Sequence, residues 1–167
     1  MNDLEQKRMS FLPEGPLRVL MIGESPPPGR GFFYCGDSTL YRATKPILCD
    51  RLGFPDDRER FLASFRKSGW YLEDFSTIRG DKPHLRPRAP KVVSAIQRLS
   101  DFVGQRRPTV VVGVLLEIAP LVSAVIERSE CPQTPWRCLR FPYWRSRPAM
   151  AAYQEGLREL IGELDRF

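Results

Sequence analysis

The chain has 167 residues, 42% of them hydrophobic, and a net charge of +6. This length suits one domain with its own core, and no apolar run is long enough to span a membrane. The polar N-terminus lacks the apolar segment of a secretory signal. We therefore expect a single domain over residues 1–167 that is cytoplasmic, monomeric and not bound to a membrane.

The pattern of apolar and polar residues predicts alternating strands and helices. In chain order the predicted elements are a strand over Arg18–Ile22, helices over residues 38–52 and 55–68, a strand over Trp70–Phe75, a helix over Lys91–Val103, a strand over Thr109–Leu115, a helix over Glu117–Arg128, a short strand over Cys138–Phe141 and a helix over Ala149–Leu164. Asp37 or Ser38 can cap the first helix, and Pro46 predicts a kink or break within it. Prolines in residues 25–29 and 76–90 predict loops.

This alternation predicts a parallel sheet covered by helices on both faces, with ligands bound beyond the carboxyl ends of the strands. The rule places three segments on one rim: Gly23–Tyr34, Phe75–Pro90 and Pro142–Pro148. Residues 79–91 contain five Arg or Lys and one acid, and residues 131–153 contain four Arg and no acid. Such a rim favours phosphate groups. The candidate phosphate contacts are Arg79, Lys82, His84, Arg86, Arg145 and Arg147.

The first candidate site is Gly23-Glu24-Ser25-Pro26-Pro27, directly after the first strand. Its prolines hold Glu24 and Ser25 in a defined direction, and a carboxylate held there can orient a water or act as a general base. The alternative is an acid that faces solvent or caps a helix. Ser25 is a weak candidate nucleophile because the motif is not Gly-x-Ser-x-Gly.

The same loop holds three successive aromatic residues, Phe32-Phe33-Tyr34. Three such neighbours are not expected to enter the core together, so at least one is predicted to stack on a planar ligand. The alternative is a small hydrophobic core over the sheet. Asp74, at the end of the second strand, either accepts hydrogen bonds from a ligand or holds the following loop. His84 is either solvated or in contact with a phosphate.

The cysteines carry no Cys-x-x-Cys spacing and are expected to be reduced, so a zinc ribbon is not indicated. They are Cys35, Cys49, Cys131 and Cys138. A metal or iron–sulfur site assembled through space is the open alternative. We expect no metal and no cofactor.

From about Leu17 to Leu164, the order of these motifs resembles that of the uracil-DNA glycosylase superfamily. An apolar strand leads into a Gly-Glu-x-Pro loop and an aromatic residue. Next comes a strand with a polar tip. It is followed by the Val-rich strand Val110-Val111-Val112-Gly113 and by an aromatic-Pro segment before the last helix. Gly23-Glu24-Ser25-Pro26 is similar to the Gly-Glu-Ala-Pro-Gly loop of the superfamily's iron–sulfur members. The resemblance implies a three-layer α/β/α sandwich with a four-stranded parallel sheet.

The resemblance also implies roles for individual residues. Glu24 would position the attacking water, and Phe32 or Phe33 would stack on a base flipped out of the nucleic acid. The substrate-binding residues it implies are Gly23, Ser25, Pro26, Phe32, Phe33 and Asp74.

Three features depart from the superfamily's pattern: two site positions, and the cysteine spacings, which do not reproduce the paired pattern of the iron–sulfur members. Phe141-Pro142-Tyr143-Trp144 stands where a His-Pro-Ser-Pro motif is typical, and Arg145 or Arg147 is a candidate for the missing positive charge. Asp74 stands where an Asn usually reads the base. Because an ionised carboxylate only accepts hydrogen bonds, the bound base is expected to present N–H donors and to differ from uracil.

These observations lead to a glycosylase-like protein that acts on a nucleobase in nucleic acid, with DNA expected rather than RNA. One alternative is a non-catalytic module that binds nucleic acid or a nucleotide on the same fold. Another is a small-molecule hydrolase that uses the same crevice.

Overall fold

A computed structural model describes residues 3–166. Its helices and strands, in chain order, are α1 (Asp3–Ser10), β1 (Val19–Gly23), α2 (Thr39–Leu52), α3 (Arg58–Lys67), β2 (Trp70–Asp74), α4 (Pro90–Arg106), β3 (Val110–Gly113), α5 (Ala119–Arg128), β4 (Trp136–Cys138) and α6 (Arg147–Glu163). Short 3-10 turns lie at Phe33–Cys35, Pro83–Leu85, Leu116–Ile118 and Leu164–Arg166. None of the helices within residues 3–166 has the length and apolar character needed to cross a membrane.

The four strands form one parallel sheet in the order β2-β1-β3-β4. Val19 of β1 lies beside Trp70 of β2 and Val110 of β3. Every residue of β1, β2 and β3 is buried, which requires cover on both faces of the sheet. Helix α2 packs against α6, and α4 packs against α5. The fold is therefore a three-layer α/β/α sandwich, which confirms the predicted class.

Local sequence signals set the ends of α2 and α3. The side chain of Ser38 accepts a hydrogen bond from the backbone N–H of Tyr41 at 3.1 Å and so caps α2. Gly53 ends that helix in the left-handed region, with φ of 67°, where a glycine meets no steric penalty. Asp57 caps α3 through the N–H of Arg60 at 2.9 Å. These are the residues that the sequence pattern favours at helix ends.

Three features differ from the prediction. Helix α2 continues through Pro46 without a break, and Pro46 is exposed, so its ring lies on the solvent side. The last strand is Trp136–Cys138 rather than residues 138–141, because its partner β3 ends at Gly113, which pairs with Cys138. Helix α1 lies in the polar N-terminal stretch, for which the apolar pattern predicts no element.

Candidate functional site

A cavity of about 240 Å³ opens at the carboxyl-terminal edge of the sheet. Most of its lining is apolar, but it also includes the carboxylates of Glu24 and Asp74. The predicted site residues that line it are Gly23, Glu24, Ser25, Pro26, Phe32, Phe33, Asp74 and Lys82. Other lining residues are Leu40, Leu72, Val114, Leu115, Phe141 and Tyr143. Parallel strands thus bring distant loops to one edge, as expected for this fold.

Glu24 directly follows β1, and its side chain is only 6% exposed. Its Oε2 accepts a hydrogen bond from Nζ of Lys82 at 3.0 Å, and its Oε1 contacts Nδ1 of His84. Both partners belong to the loop after β2. The backbone N–H of Ser76 also donates to the carbonyl of Glu24 at 3.0 Å. The loops after β1 and β2 therefore meet at this carboxylate, which has the basic partners that a buried charge requires.

Ser25 and Asp81 hold the second loop in place. The hydroxyl of Ser25 donates to the backbone carbonyl of Asp81 at 2.9 Å. The Asp81 carboxylate, 6% exposed, accepts hydrogen bonds from Arg86 at 2.6 Å and Lys91 at 3.0 Å. The hydrogen bond from Lys91 lowers the pKa of Asp81. Arg86, a predicted phosphate contact, is therefore paired with a carboxylate.

Asp74 ends β2 and is buried beside Glu73. The guanidinium of Arg8, from α1, bridges the two carboxylates: Nη1 donates to Oε1 of Glu73 at 2.9 Å and Nη2 to Oδ2 of Asp74 at 2.5 Å. Arg98 of α4 lies 3.4 Å from Oε1 of Glu73 and donates to the backbone carbonyl of Asp74 at 2.7 Å. Burial raises the pKa of Asp74 to about 6, with Arg8 opposing the rise and Glu73 adding to it.

The second oxygen of Asp74, Oδ1, lies against Gly23. A Cβ atom at residue 23 would clash with this oxygen, so the close approach depends on glycine. Within residues 3–166, no hydrogen bond reaches Oδ1, and no loop amide donates to the Asp74 carboxylate. Asp74 therefore presents a free acceptor at the cavity rather than holding the following loop.

The prediction that Phe32, Phe33 and Tyr34 would not all enter the core is wrong. All three are at most 2% exposed. The 3-10 turn at Phe33–Cys35 rotates successive side chains by about 120°, so neighbours reach different parts of the core. Tyr34 stacks on Phe11 with ring centroids 4.9 Å apart. Phe32 and Phe33 nevertheless line the cavity from within this core.

Arg79 lies differently from the other predicted phosphate contacts. Its Nη1 donates to the backbone carbonyls of Pro27, Gly29 and Gly31 at 3.0, 2.6 and 3.0 Å. These bonds occupy the guanidinium and brace the proline loop. Arg79 therefore acts on the shape of the cavity wall, and a free phosphate-binding role does not fit this conformation.

The segment before α6 contributes aromatic rings to the rim. Phe141 and Tyr143 line the cavity, with their ring centroids 5.1 Å apart. Trp144 is 66% exposed, and the guanidinium of Arg42 lies 5.5 Å from its ring centroid. The predicted contacts Arg145 and Arg147 follow these aromatic residues, and Arg147 is the first residue of α6. Both are exposed, and no carboxylate in the described part of the chain pairs with them.

Arg8 is the site residue that sequence reasoning missed. The signal available was Glu73-Asp74, since two adjacent carboxylates at the end of a buried strand need a cation. Arg8 is separated from Glu73 by 65 residues and is one of 26 basic side chains. No local pattern selects it among them.

No group of three or more His, Cys, Asp or Glu side chains within residues 3–166 could hold a metal ion. The thiols of Cys35, Cys49, Cys131 and Cys138 are free. Burial raises the pKa of Cys138 to about 11, which keeps this thiol protonated at neutral pH.

Compared with models of known protein families and with curated proteins, the chain matches none. The resemblance to the uracil-DNA glycosylase superfamily therefore stays a prediction. Function must be argued from the side chains at the cavity.

Proposed function

We propose that this protein binds a nucleobase in the cavity and hydrolyses its N-glycosidic bond, as a divergent relative of the uracil-DNA glycosylases. We further propose that it acts on DNA, as a monomer in the cytoplasm. The observation that carries the proposal is the convergence of the motif residues on one cavity, with the carboxylates of Glu24 and Asp74 in its lining. The sheet of four parallel strands is also the architecture that the resemblance implies.

The size and walls of the cavity support a single planar ring system as the ligand. Its volume of about 240 Å³ lies below the roughly 300–1,000 Å³ of sites for drug-sized ligands. Tyr143 supplies exposed aromatic surface, and the buried side chains of Phe32, Phe33 and Leu72 form the apolar wall behind it. Such walls favour stacking against a base, while the sugar and phosphates stay outside.

Asp74 supports a base other than uracil. Its free Oδ1 accepts hydrogen bonds and repels a carbonyl oxygen, so it favours an exocyclic amino group or a ring N–H. Cytosine, adenine and guanine each carry an amino group. The ring N–H of uracil lies between two carbonyl oxygens, so a carboxylate meets that edge poorly.

The outer rim supports a nucleic acid rather than a free base as the partner. Arg145 and Arg147, in the segment after the cavity residue Tyr143, supply exposed positive charge, and Lys82, which is half-exposed although it is paired with Glu24, adds to it. Trp144, with Arg42 beside one face, offers a surface on which a neighbouring base can stack. Phosphate contacts of this kind make binding fall steeply as salt concentration rises.

Glu24 is the catalytic residue in this proposal. A water held by its carboxylate attacks the anomeric carbon of the sugar, and Glu24 accepts the proton as the C–N bond breaks. The base leaves with the bonding electron pair and takes up a proton from solvent while Glu24 releases the one it accepted, so the products are the free base and an abasic sugar. His84 and Lys82 hold the Glu24 side chain in position.

A second candidate is a module that binds the same ligand without cleaving it. The observation that favours it is the occupation of both Glu24 oxygens, one by Lys82 and one by His84. A carboxylate tied in this way contributes to loop closure and has less freedom to hold a water. Binding would then depend on the cavity and the basic rim alone.

A glycosylase panel separates the two candidates. Single- and double-stranded oligonucleotides carrying cytosine, adenine, guanine, uracil, hypoxanthine, xanthine or mismatched bases are incubated with the protein, and abasic sites are revealed by alkaline cleavage. We expect cleavage at a base with an N–H donor edge, lost in Glu24→Gln by a factor of about 10²–10⁴. Glu117→Gln, the same change at an exposed position after β3, is the matched control.

Each outcome assigns a function. Cleavage that survives in Glu24→Gln contradicts the catalytic role of this residue. Salt-sensitive binding without any cleavage establishes the binding module. Absence of both binding and cleavage across the panel rejects nucleic acid as the partner.

A further inference from the structure

We propose that Arg8 is a positioning residue that keeps Asp74 an acceptor-only group at the cavity and so controls which base edge the cavity admits. Its role in specificity rests on the proposed function, whereas its hold on Asp74 does not. Helix α1, which carries Arg8, contributes no side chain to the cavity lining within the described residues.

The position of Arg8 is fixed by contacts on several sides. Its side chain is 2% exposed, and its two terminal nitrogens each bond to a different carboxylate, those of Glu73 and Asp74. The guanidinium carbon also lies 5.7 Å from the ring centroid of Phe32, a cavity residue. Arg8 thus contacts two residues of the lining from behind it.

Because of the hydrogen bond from Arg8, the two oxygens of Asp74 have different roles. Oδ2 is held by Arg8, so the carboxylate cannot rotate freely, and Oδ1 remains against Gly23 without a partner in residues 3–166. A half-occupied, oriented carboxylate is a selective acceptor for one N–H group. Without Arg8, both the orientation and the charge of this acceptor change.

The charged groups around Asp74 determine its protonation. Arg8 of α1 and Arg98 of α4 favour the ionised form, whereas burial and Glu73 of β2 favour the neutral form. Without Arg8, burial and Glu73 still favour the neutral form of Asp74, and of the two arginines only Arg98, whose side chain is 43% exposed, remains to favour the ionised form. A protonated carboxyl donates as well as accepts and can therefore bond to a carbonyl oxygen, as an amide does.

Stability alone is a poor explanation for this buried cluster. Replacing a buried ion pair or triad by apolar side chains is often neutral or stabilising, because burial removes the charges from water. Arg8 also keeps a buried Nε without a hydrogen-bond partner in the described structure. A cluster that stability does not favour, placed directly behind a cavity carboxylate, points to control of that carboxylate.

The direct test is the pH titration of the Asp74 carboxyl carbon, followed by NMR in the full chain with isotope-labelled aspartate. In Arg8→Gln we expect the midpoint to rise by about one to three pH units, the range produced by losing a nearby opposite charge. Lys7→Gln, an exposed change on the same helix, should leave it in place, and Arg8→Lys should restore most of the wild-type value. Glu73→Gln should move the midpoint down.

The second arm measures base preference with the oligonucleotide panel. Arg8→Gln should shift binding or cleavage toward bases with a carbonyl edge, uracil and hypoxanthine, by about tenfold or more relative to cytosine and adenine. An unchanged Asp74 midpoint in Arg8→Gln, or an Asp74 that is neutral in the wild type at neutral pH, overturns the hold of Arg8 on Asp74. If Arg8→Gln does not fold, the other two variants test the hold of Arg8 on Asp74. A lower Asp74 midpoint in Glu73→Gln together with an unchanged midpoint in Arg8→Lys supports that hold, and the opposite results overturn it. If the Asp74 midpoint shifts in Arg8→Gln but no variant binds a nucleobase, the proposed function is contradicted while the hold of Arg8 on Asp74 still stands.

Discussion

Replacing Asp74 by Asn should change the stability of the protein in a strongly pH-dependent way. Asn keeps the shape of the side chain but removes its charge, and Arg8 retains Glu73 as a partner. Burial raises the pKa of Asp74 in the folded protein to about 6, against an ordinary value of 3.8. Folding therefore disfavours the ionised form, and the wild type loses stability relative to Asp74→Asn as the carboxyl ionises.

The sign and size follow from proton linkage. A raised folded pKa contributes stability that is fully present below pH 3.8 and is lost as the pH rises through about 6. The two values differ by an amount that corresponds to about 3 kcal/mol in the free energy of unfolding. Between about pH 4 and about pH 7.5, we expect the wild type to lose about 2–3 kcal/mol relative to Asp74→Asn.

Urea unfolding of both proteins across this pH range measures the effect. Subtracting the two curves removes the titration of the carboxylates that do not interact with Asp74. The matched control is Asp165→Asn, the same change on a side chain that is 97% exposed. A difference between wild type and Asp74→Asn that is flat with pH, or that grows in favour of the wild type as the pH rises, would refute the reasoning.

Two further substitutions test the surroundings of the cavity. Gly23→Ala places a Cβ against Oδ1 of Asp74 and should lower the free energy of unfolding in urea by about 1–3 kcal/mol. The control is Gly15→Ala, where a Cβ meets nothing within 4 Å. Equal effects of the two substitutions would contradict this prediction. Tyr34→Phe removes a hydroxyl that accepts from the N–H of Leu72 at 2.7 Å and donates to its carbonyl at 3.1 Å. We expect a loss of about 1–3 kcal/mol and faster hydrogen exchange at the Leu72 amide, and unchanged exchange there would argue against the bond.

The fold and part of the cavity lining could be predicted because they depend on periodic and local signals. Apolar runs such as Val110–Gly113 identify buried strands, and strands that alternate with helices pair in parallel. Once the sheet is parallel, the carboxyl ends of β1 and β2 must lie at one edge. Glu24, which follows β1, and Asp74, which ends β2, therefore line the same cavity by topology alone.

The interactions among charged side chains could not be predicted in the same way. Arg79 and Arg86 look alike in a basic, Pro-rich loop, yet one braces backbone carbonyls and the other pairs with Asp81. Such pairings depend on where the side chains lie in the folded loops, and no periodic pattern in the sequence predicts them. For a related reason, the sequence left open whether Phe32-Phe33-Tyr34 would be buried, since their burial depends on a short 3-10 turn rather than on extended loop backbone.

Several features at the open edge of the sheet work against folding stability, and we propose that they serve a ligand. Arg145 and Arg147 flank Ser146, the cap of α6, where positive charge opposes the helix dipole. Trp144 leaves a large apolar ring in water, and burial disfavours the charge of the Asp74 carboxylate. Local conflicts of this kind are expected at functional sites, where contact with a ligand uses groups that folding leaves unsatisfied. An anionic ligand with a planar, hydrogen-bond-donating ring satisfies all of them together, because its phosphates neutralise the arginines, its ring covers the indole and its N–H meets the carboxylate.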